Sequence, residues 1–283
     1  MVRTILLIQH ATREEAIKGG EVVRATCASL GLQVVERAAI DRNPDIRVDL
    51  VIALGGDGTL LAAADYGRRQ GVPIIGFNTG RMGFLTEVGA EDFRAALVRL
   101  AEEDFTLDIR QTIEVTVKHR DGRVEEGWAL NEAAVMHSGL DHPADFTVGV
   151  DGLGLSRYAA DGIIIATPTG STAYSYSAGG PIVWPNVESM LLVPLAAHGL
   201  FRTPLVVGCN SVLQVEIDVE QPNHLEIWFD GQRMLPVEPG ALVEARISPN
   251  PVVLAALSEA PFSARLVSKF QLPVDGWRSG TSA

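Results

Sequence analysis

The hydrophobic pattern of the chain changes character near Asp108, and this change limits the fold more than any other feature. Before it, short apolar runs alternate with helical stretches. The pattern predicts a strand near Arg3 to Gln9, a helix from about Arg13 to Leu30 closed by Gly31, and a strand around Gln33 to Ala39. A strand from Asp49 to Leu54, a helix from Thr59 toward Arg69, a short strand Pro73 to Gly76 and a helix near Glu91 to Glu103 follow. Such alternation predicts a parallel sheet with helices on its faces. Beyond Asp108 the helical period fades. Ile113 to His119, Phe146 to Val150, Ile163 to Ala166, Val212 to Val219, Leu225 to Phe229 and Ala241 to Ile247 read as strands. The turn dipeptides Asp121-Gly122, Asp151-Gly152, Asp230-Gly231 and Pro239-Gly240 punctuate them. The expected fold class is an α/β N-terminal domain with a parallel sheet, followed by an all-β sandwich domain. The tail runs Val252 to Ala255 and Arg265 to Phe270 are apolar enough to pack, and the final RSGTSA reads as frayed.

Composition narrows the function classes. With 47% hydrophobic and 20% charged residues in 283, the chain is globular rather than disordered. Its apolar runs of four or five residues fall far short of a membrane span, and MVRTILLIQH lacks a signal-peptide layout, so a soluble cytoplasmic protein is expected. A net charge of −12 argues against nucleic acid or an anionic membrane as partner. Cys27 and Cys209 are expected as reduced core thiols. Only Lys18, Lys118 and Lys269 are lysines, so any phosphate chemistry must rest on backbone amides, arginines and a metal ion.

Three stretches carry candidate chemistry. The first is GGDGT, Gly55 to Thr59, at the carboxyl end of a buried strand, where ligands of parallel sheets bind. Glycines there let backbone N–H groups close on a phosphate, yet Asp57 places a negative charge among them. Asp57 either caps the following helix or has a role in chemistry. The turn is no P-loop, because no lysine lies between Lys18 and Lys118, and it has only two of the three spaced glycines of a dinucleotide fingerprint. The second stretch, Thr167 to Pro185 (TPTGSTAYSYSAGGPIVWP), is crowded with neutral donors and acceptors that suit a sugar or purine edge, or it is a polar loop. The third is Asn131-Glu132, an amide beside a carboxylate in the apolar run WALNEAAVMH, suited to a ribose diol or marking a strand end. None of the six histidines has metal-ligand spacing, and all are expected to be structural or solvated.

In order and spacing, GGDGT, NTGRMGFL (Asn78 to Leu85), Asn131-Glu132, Ala160-Asp161-Gly162 and TPTGSTAYSYSAGGPIV (Thr167 to Val183) together resemble the NAD kinase family. PLAAHGLFRTPLVV (Pro194 to Val207) and FDGQ (Phe229 to Gln232) extend the resemblance over nearly the whole chain. GGDGT alone is shared with lipid kinases and phosphofructokinases, whereas the TPTGSTAY block is particular to NAD kinases. The resemblance implies the NAD kinase/diacylglycerol kinase-like fold, with an α/β domain over 1–107 completed by a returning terminal segment 252–283, and a sandwich domain over 108–251. It implies phosphoryl transfer from ATP, or inorganic polyphosphate, to the 2′-hydroxyl of the adenosine ribose of NAD, giving NADP. Mg²⁺ or another divalent metal is implied, reached through the phosphates rather than by direct protein ligands, and so is a homodimer or homotetramer.

Carried over residue by residue, the resemblance sets Asp57 at the reacting hydroxyl, with Gly55, Gly56, Gly58 and Thr59 shaping the phosphate loop. Phe84 matches a position lining the adenine site, Asn131 and Glu132 match the ribose-fixing pair, and Asp161 a carboxylate at the nicotinamide end. Thr172, Ala173, Tyr174 and Ser177 match the dinucleotide-contacting set. Arg110, Asp230 and Gln232 are further candidates, Arg110 as a phosphate ligand. The competing expectations are a lipid or sugar kinase of the same superfamily and a non-catalytic NAD-responsive binding protein.

Overall fold

The computed structural model describes residues 2–43, 45–80, 83–137, 143–199, 201–221 and 225–273. Arg81 and Met82 of NTGRMGFL, Leu200 of PLAAHGLFRTPLVV, His142, His224 and the terminal RSGTSA lie outside the described residues. The chain divides into two compact units, Met1–Ile109 with Val253–Ala283, and Arg110–Val252.

In the first unit the sheet runs in the order Gln33–Glu36, Thr4–Gln9, Leu50–Gly55, Ile74–Asn78, Val252–Ala256, Thr106–Arg110, with Thr86–Val88 also paired to Ile74–Asn78. The pairings from Gln33–Glu36 through Ile74–Asn78, and those of Ile74–Asn78 with Thr86–Val88 and Val252–Ala256, are parallel. Leu50–Gly55 and Ile74–Asn78 are buried at every position, because helices cover both faces. Successive side chains alternate between those faces. Ile52 and Leu54 meet Val23 and Cys27 of the helix Glu14–Ser29 and Phe93 and Leu97 of Phe93–Ala101. On the other face the helix Asp57–Gln70 approaches so closely that a Cβ at Gly67 would overlap the Ile74 side chain.

Two of the boundaries that differ from the sequence expectation do so for a clear local reason. The strand expected to reach Ala39 stops at Glu36, and Arg37–Arg42 is a helix. Ala38 and Ala39 favour helix, and Arg42 Nε closes the turn on the Ala38 carbonyl at 2.9 Å. The helix expected to start at Thr59 starts at Asp57, because extended Gly56 serves as N-cap and its carbonyl accepts from the Thr59 and Leu60 amides at 2.9 and 3.2 Å. The apolar tail is a strand, Val252–Ala256, and an amphipathic helix, Phe262–Phe270.

The second unit contains two six-stranded sheets among the described residues. One orders Leu153–Ala160, Ala144–Val150, Leu213–Ile217, Leu242–Ile247, Ile113–Lys118, Val124–Ala129, and the other Leu205–Gly208, Ser189–Leu195, Gly162–Ala166, Glu132–His137, Leu225–Phe229, Arg233–Val237. Their neighbouring strands pair antiparallel. The inward faces interlock, Val115, Phe146, Val148 and Val215 against Val135, Ile163, Ile165 and Ile227, as in a sandwich core. The outward face of the second sheet also carries an apolar patch, Ala134, Ile164, Ala166, Leu191 and Val193, against which Ala178 and Val183 pack. The hydroxyl-rich segment thus lies over that face. Cys27 is buried, and burial pushes its thiol up to about 11. Cys209 departs from the core expectation: it is half-buried, with Sγ 3.6 Å from Glu188 Oε2. No helix among the described residues is long and apolar enough to cross a membrane.

Candidate functional site

The GGDGT turn follows from its sequence. The buried strand Leu50–Gly55 ends where Gly55 lies against Thr59, so closely that a Cβ on Gly55 would overlap the Thr59 hydroxyl. Asp57 is the first helical residue, and the amides that its carboxylate accepts lie outside its own helix. It turns instead to a segment 27 to 29 residues further on, where Oδ2 accepts the Phe84 amide at 2.9 Å and Oδ1 the Leu85 and Thr86 amides at 3.0 and 3.2 Å. The capping alternative is therefore excluded. Gly83 sits under this carboxylate, with its own amide donating to Thr86 Oγ1 at 3.0 Å. Asn78 braces the start of the same segment through two bonds to Gly80, both 3.0 Å. A carboxylate has about four acceptor sites, so three amides leave one site, on Oδ2.

Phe84 lies in the same clasp. Its ring centroid is 5.5 Å from that of Phe270 and 6.2 Å from that of Phe262, both on the terminal helix. Gly56 and Thr59 are half-buried and Gly58 is exposed beside Asp57. A cavity of about 410 Å³ in the same unit, lined by Leu6, Ile8, Arg37, Ile40, Asp65 and Tyr66 among others, contains none of the residues singled out by sequence.

In the second unit a buried carboxylate does the same work as Asp57. Asp230, its side chain 1% exposed, accepts the amides of Leu130, Asn131 and Glu132 at 3.0, 2.7 and 3.3 Å and Arg233 Nη2 at 3.1 Å. Arg233 in turn stacks on Trp128, 4.2 Å from its ring centroid, and donates to the Trp128 carbonyl at 2.9 Å. Burial raises the Asp230 pKa above the ordinary carboxylate value, against the opposing pull of the Leu130 and Asn131 amides and of Arg233. The hydroxyl-rich segment locks onto the same turn. Thr167 donates its amide to the Asn131 carbonyl at 2.9 Å and its hydroxyl to the Leu130 carbonyl at 2.6 Å. Gly170 packs on Asn131 so tightly that a Cβ would overlap the Asn131 carbonyl. Ser171 joins both ends of the segment, donating to the Pro168 carbonyl at 2.6 Å and accepting the Val183 amide at 2.9 Å.

Glu132 is 7% exposed, and its Oε2 has no hydrogen-bond partner. Burial and then the nearby Asp230 push its carboxyl up to about 8, while a hydrogen bond from the Tyr174 amide pulls the other way. Burial, followed by the Asp161 and Glu132 carboxylates, raises the Tyr174 phenol. The structure thus brings Asn131, Glu132, Asp161 and Tyr174 together. Thr172 and Ala173 are half-buried beside Tyr174, and Ser177 is exposed. Arg110, also buried, reaches Thr169 Oγ1 at 3.4 Å. Gln232 is exposed next to the Asp230 turn, its amide donating to the Phe229 carbonyl at 3.0 Å.

Several participants were not read from sequence. His137 has Nε2 3.6 Å from Asp161 Oδ1, a contact compatible with the structural role expected for it. Gly83 and Thr167 fall inside the quoted stretches without being singled out there, and Arg233 and Arg265 bind the Trp128 and Phe84 carbonyls, contacts that residue type does not announce. Among the described residues no group of three or more His, Cys, Asp or Glu is placed to hold a metal ion.

Family models and relatives agree over nearly the whole chain. The ATP-NAD kinase N-terminal domain matches residues 5–105 and the ATP-NAD kinase C-terminal domain residues 130–257. NAD kinase 2 of Streptomyces coelicolor is 43% identical, covering 98% of this chain and 97% of that one, and NAD kinase of Nocardia farcinica is 41% identical, covering 98% and 94%. An NAD kinase from Archaeoglobus fulgidus, solved in complex with ATP, superposes with a TM-score of 0.74 at 25% identity over 96% of this chain and 100% of that one. Yeast NADH kinase complexed with NADH superposes at 0.83 over 99% of this chain and 89% of that one, at 21% identity, a likeness of fold. With both family domains matched and relatives this similar over nearly their full length, the chain belongs to the NAD kinase family.

Proposed function

We propose that the protein transfers the γ-phosphoryl group of ATP to the 2′-hydroxyl of the adenosine ribose of NAD, and that Asp57 is the side chain at that hydroxyl. The observation that supports this most is the occupancy of the Asp57 carboxylate. Three amides fix its plane and leave one acceptor site on Oδ2, enough for one hydroxyl donor. Fixing the hydroxyl in line with the phosphorus atom supplies positioning, and accepting its proton as the new P–O bond forms supplies general-base assistance. In a loose transition state the positioning part dominates. The conflict between Asp57 and a phosphate-binding turn is thereby reduced, because the amides of residues 84–86 already disperse its charge.

The second unit supplies a reading of dinucleotide recognition. Glu132, with an unpartnered oxygen, and Asn131 suit the two hydroxyls of a ribose, while Tyr174 and Asp161 extend the polar surface, with Thr172, Ala173 and Ser177 beside them. Asp230 acts beneath this pair, by holding its backbone. A divalent cation, when bound with ATP, neutralises phosphate charge. The donor set suits a cation carried by phosphates and water, since Asp57 has one acceptor site left. The same reading extends to polyphosphate as an alternative donor, and to a cytoplasmic homodimer or homotetramer.

The test is positional. With γ-labelled ATP, NAD should take up label, and an NAD analogue lacking the adenosine 2′-hydroxyl should take up none. Label on that analogue would overturn the assignment.

A further inference from the structure

Arg265 lies on the helix Phe262–Phe270 and donates from Nη1 to the Phe84 carbonyl oxygen at 3.0 Å. The N–H of that same peptide unit belongs to Leu85 and donates to Asp57 Oδ1 at 3.0 Å. A single planar peptide therefore joins a guanidinium to the carboxylate. Because the unit is rigid about its C–N bond, rotating its carbonyl rotates its N–H by the same angle. A cation on the oxygen also polarises the N–H, strengthening the bond it makes to a carboxylate.

The rest of the clasp points the same way. Arg265 and Glu87 are 19% and 11% exposed and 4.0 Å apart, and Glu87 in turn accepts the Leu257 and Ser258 amides at 3.3 and 2.5 Å. Phe262 and Phe270 hold the Phe84 ring from the same helix. The 84–87 segment is thus fixed on one side by Asp57 and on the other by the terminal segment.

We infer that Arg265 is a positioning residue, which sets the orientation of the Asp57 carboxylate through the Phe84–Leu85 peptide. This rests on the reading of Asp57 given above. A displacement of about 1 Å at a reacting group costs up to about a hundredfold in rate, so a residue one peptide removed from that group should affect kcat rather than affinity.

The test is a double-mutant cycle on the full chain. Arg265→Ala should lower kcat about tenfold or more, with KM for NAD within about threefold. Arg265→Lys, which keeps the charge and one donor, should recover part of the loss, and added methylguanidine should restore turnover to Arg265→Ala. Lys269→Ala, removing the other cation of the helix, should leave kcat within about twofold. Because Arg265 acts through Asp57, adding Arg265→Ala to Asp57→Asn should lower the residual rate by no more than about twofold. Multiplicative losses, or wild-type kcat in Arg265→Ala beside a strongly impaired Asp57→Asn, would overturn the inference. Normal turnover in Asp57→Asn alone would instead overturn the reading of Asp57. Should Arg265→Ala fail to fold, Arg265→Lys carries the same cycle.

Discussion

Gly83 lies so close beneath Asp57 that a Cβ built on it would overlap the carboxylate carbon and both oxygens. The demand for glycine here is one of space, because the Asp57 carboxylate stands where a Cβ would be. The carboxylate cannot simply swing away, because three amides hold it. Gly83→Ala should therefore displace the whole clasp, lowering stability by about 1–3 kcal/mol, the usual cost of overpacking, and lowering kcat about tenfold or more. Denaturant unfolding and steady-state rates check the two parts, and an unchanged kcat would show that the clasp tolerates movement.

Asp230→Asn makes a contrasting prediction. An amide nitrogen in place of one oxygen sets a donor against backbone donors and leaves Arg233 without its carboxylate. Stability should fall by about 1–3 kcal/mol. Since Asp230 holds the backbone of Asn131 and Glu132, KM for NAD should rise about tenfold while kcat stays within about threefold. Equal losses in kcat and kcat/KM would place Asp230 nearer the chemistry than its position beneath the pair suggests.

How far these features can be read from sequence depends on the kind of contact. The strand and turn before Asp57 were legible because a fully apolar run meets a Gly-Gly pair, and the change of pattern near Asp108 was legible because the two units use different periods. Arg37–Ala39 reads as strand because it continues the apolar pair Val34-Val35, and the helix preference of Ala38 and Ala39 spans too few residues to stand out as a period. The strand Val124–Ala129 escaped because VEEGWA is polar at an edge. The family resemblance pointed to Asp57, Glu132 and Asp230, but not to what holds them. Asp57 grips backbone amides 27 to 29 positions away, and any residue but proline could carry those amides. Arg265 likewise binds a carbonyl 181 positions away.

Glu132 gives a pH dependence with a definite sign. Its folded pKa, about 8, lies above the ordinary 4.5, so the folded state holds the proton more tightly than the unfolded chain. Whatever stability this contributes is complete below pH 4.5 and is lost as pH rises through about 8. Within that window wild type should lose up to about 1.4 kcal/mol per pH unit relative to Glu132→Gln, which cannot ionise. Paired melting curves at pH 5, 6, 7 and 8 should show Glu132→Gln gaining steadily on wild type. A constant difference would mean that Glu132 ionises normally.

The same proton should report ligand binding. Ribose hydroxyls donating to Glu132 favour its ionised form, so NAD binding at pH 7 should release a fraction of a proton. Calorimetry in buffers of different ionisation enthalpy should show that release in wild type and lose it in Glu132→Gln. Equal buffer dependence in both proteins would remove Glu132 from the ribose site.

Whether Asp57 acts on the attacking hydroxyl is decided by a single comparison of two proteins. Wild type and Asp57→Asn are incubated with ATP, Mg²⁺ and NAD, and NADP is read with an NADP-specific dehydrogenase. Wild type should form NADP, and Asp57→Asn should bind NAD within a few-fold while its kcat falls by roughly two or more orders of magnitude. Near-normal turnover in Asp57→Asn would contradict the account.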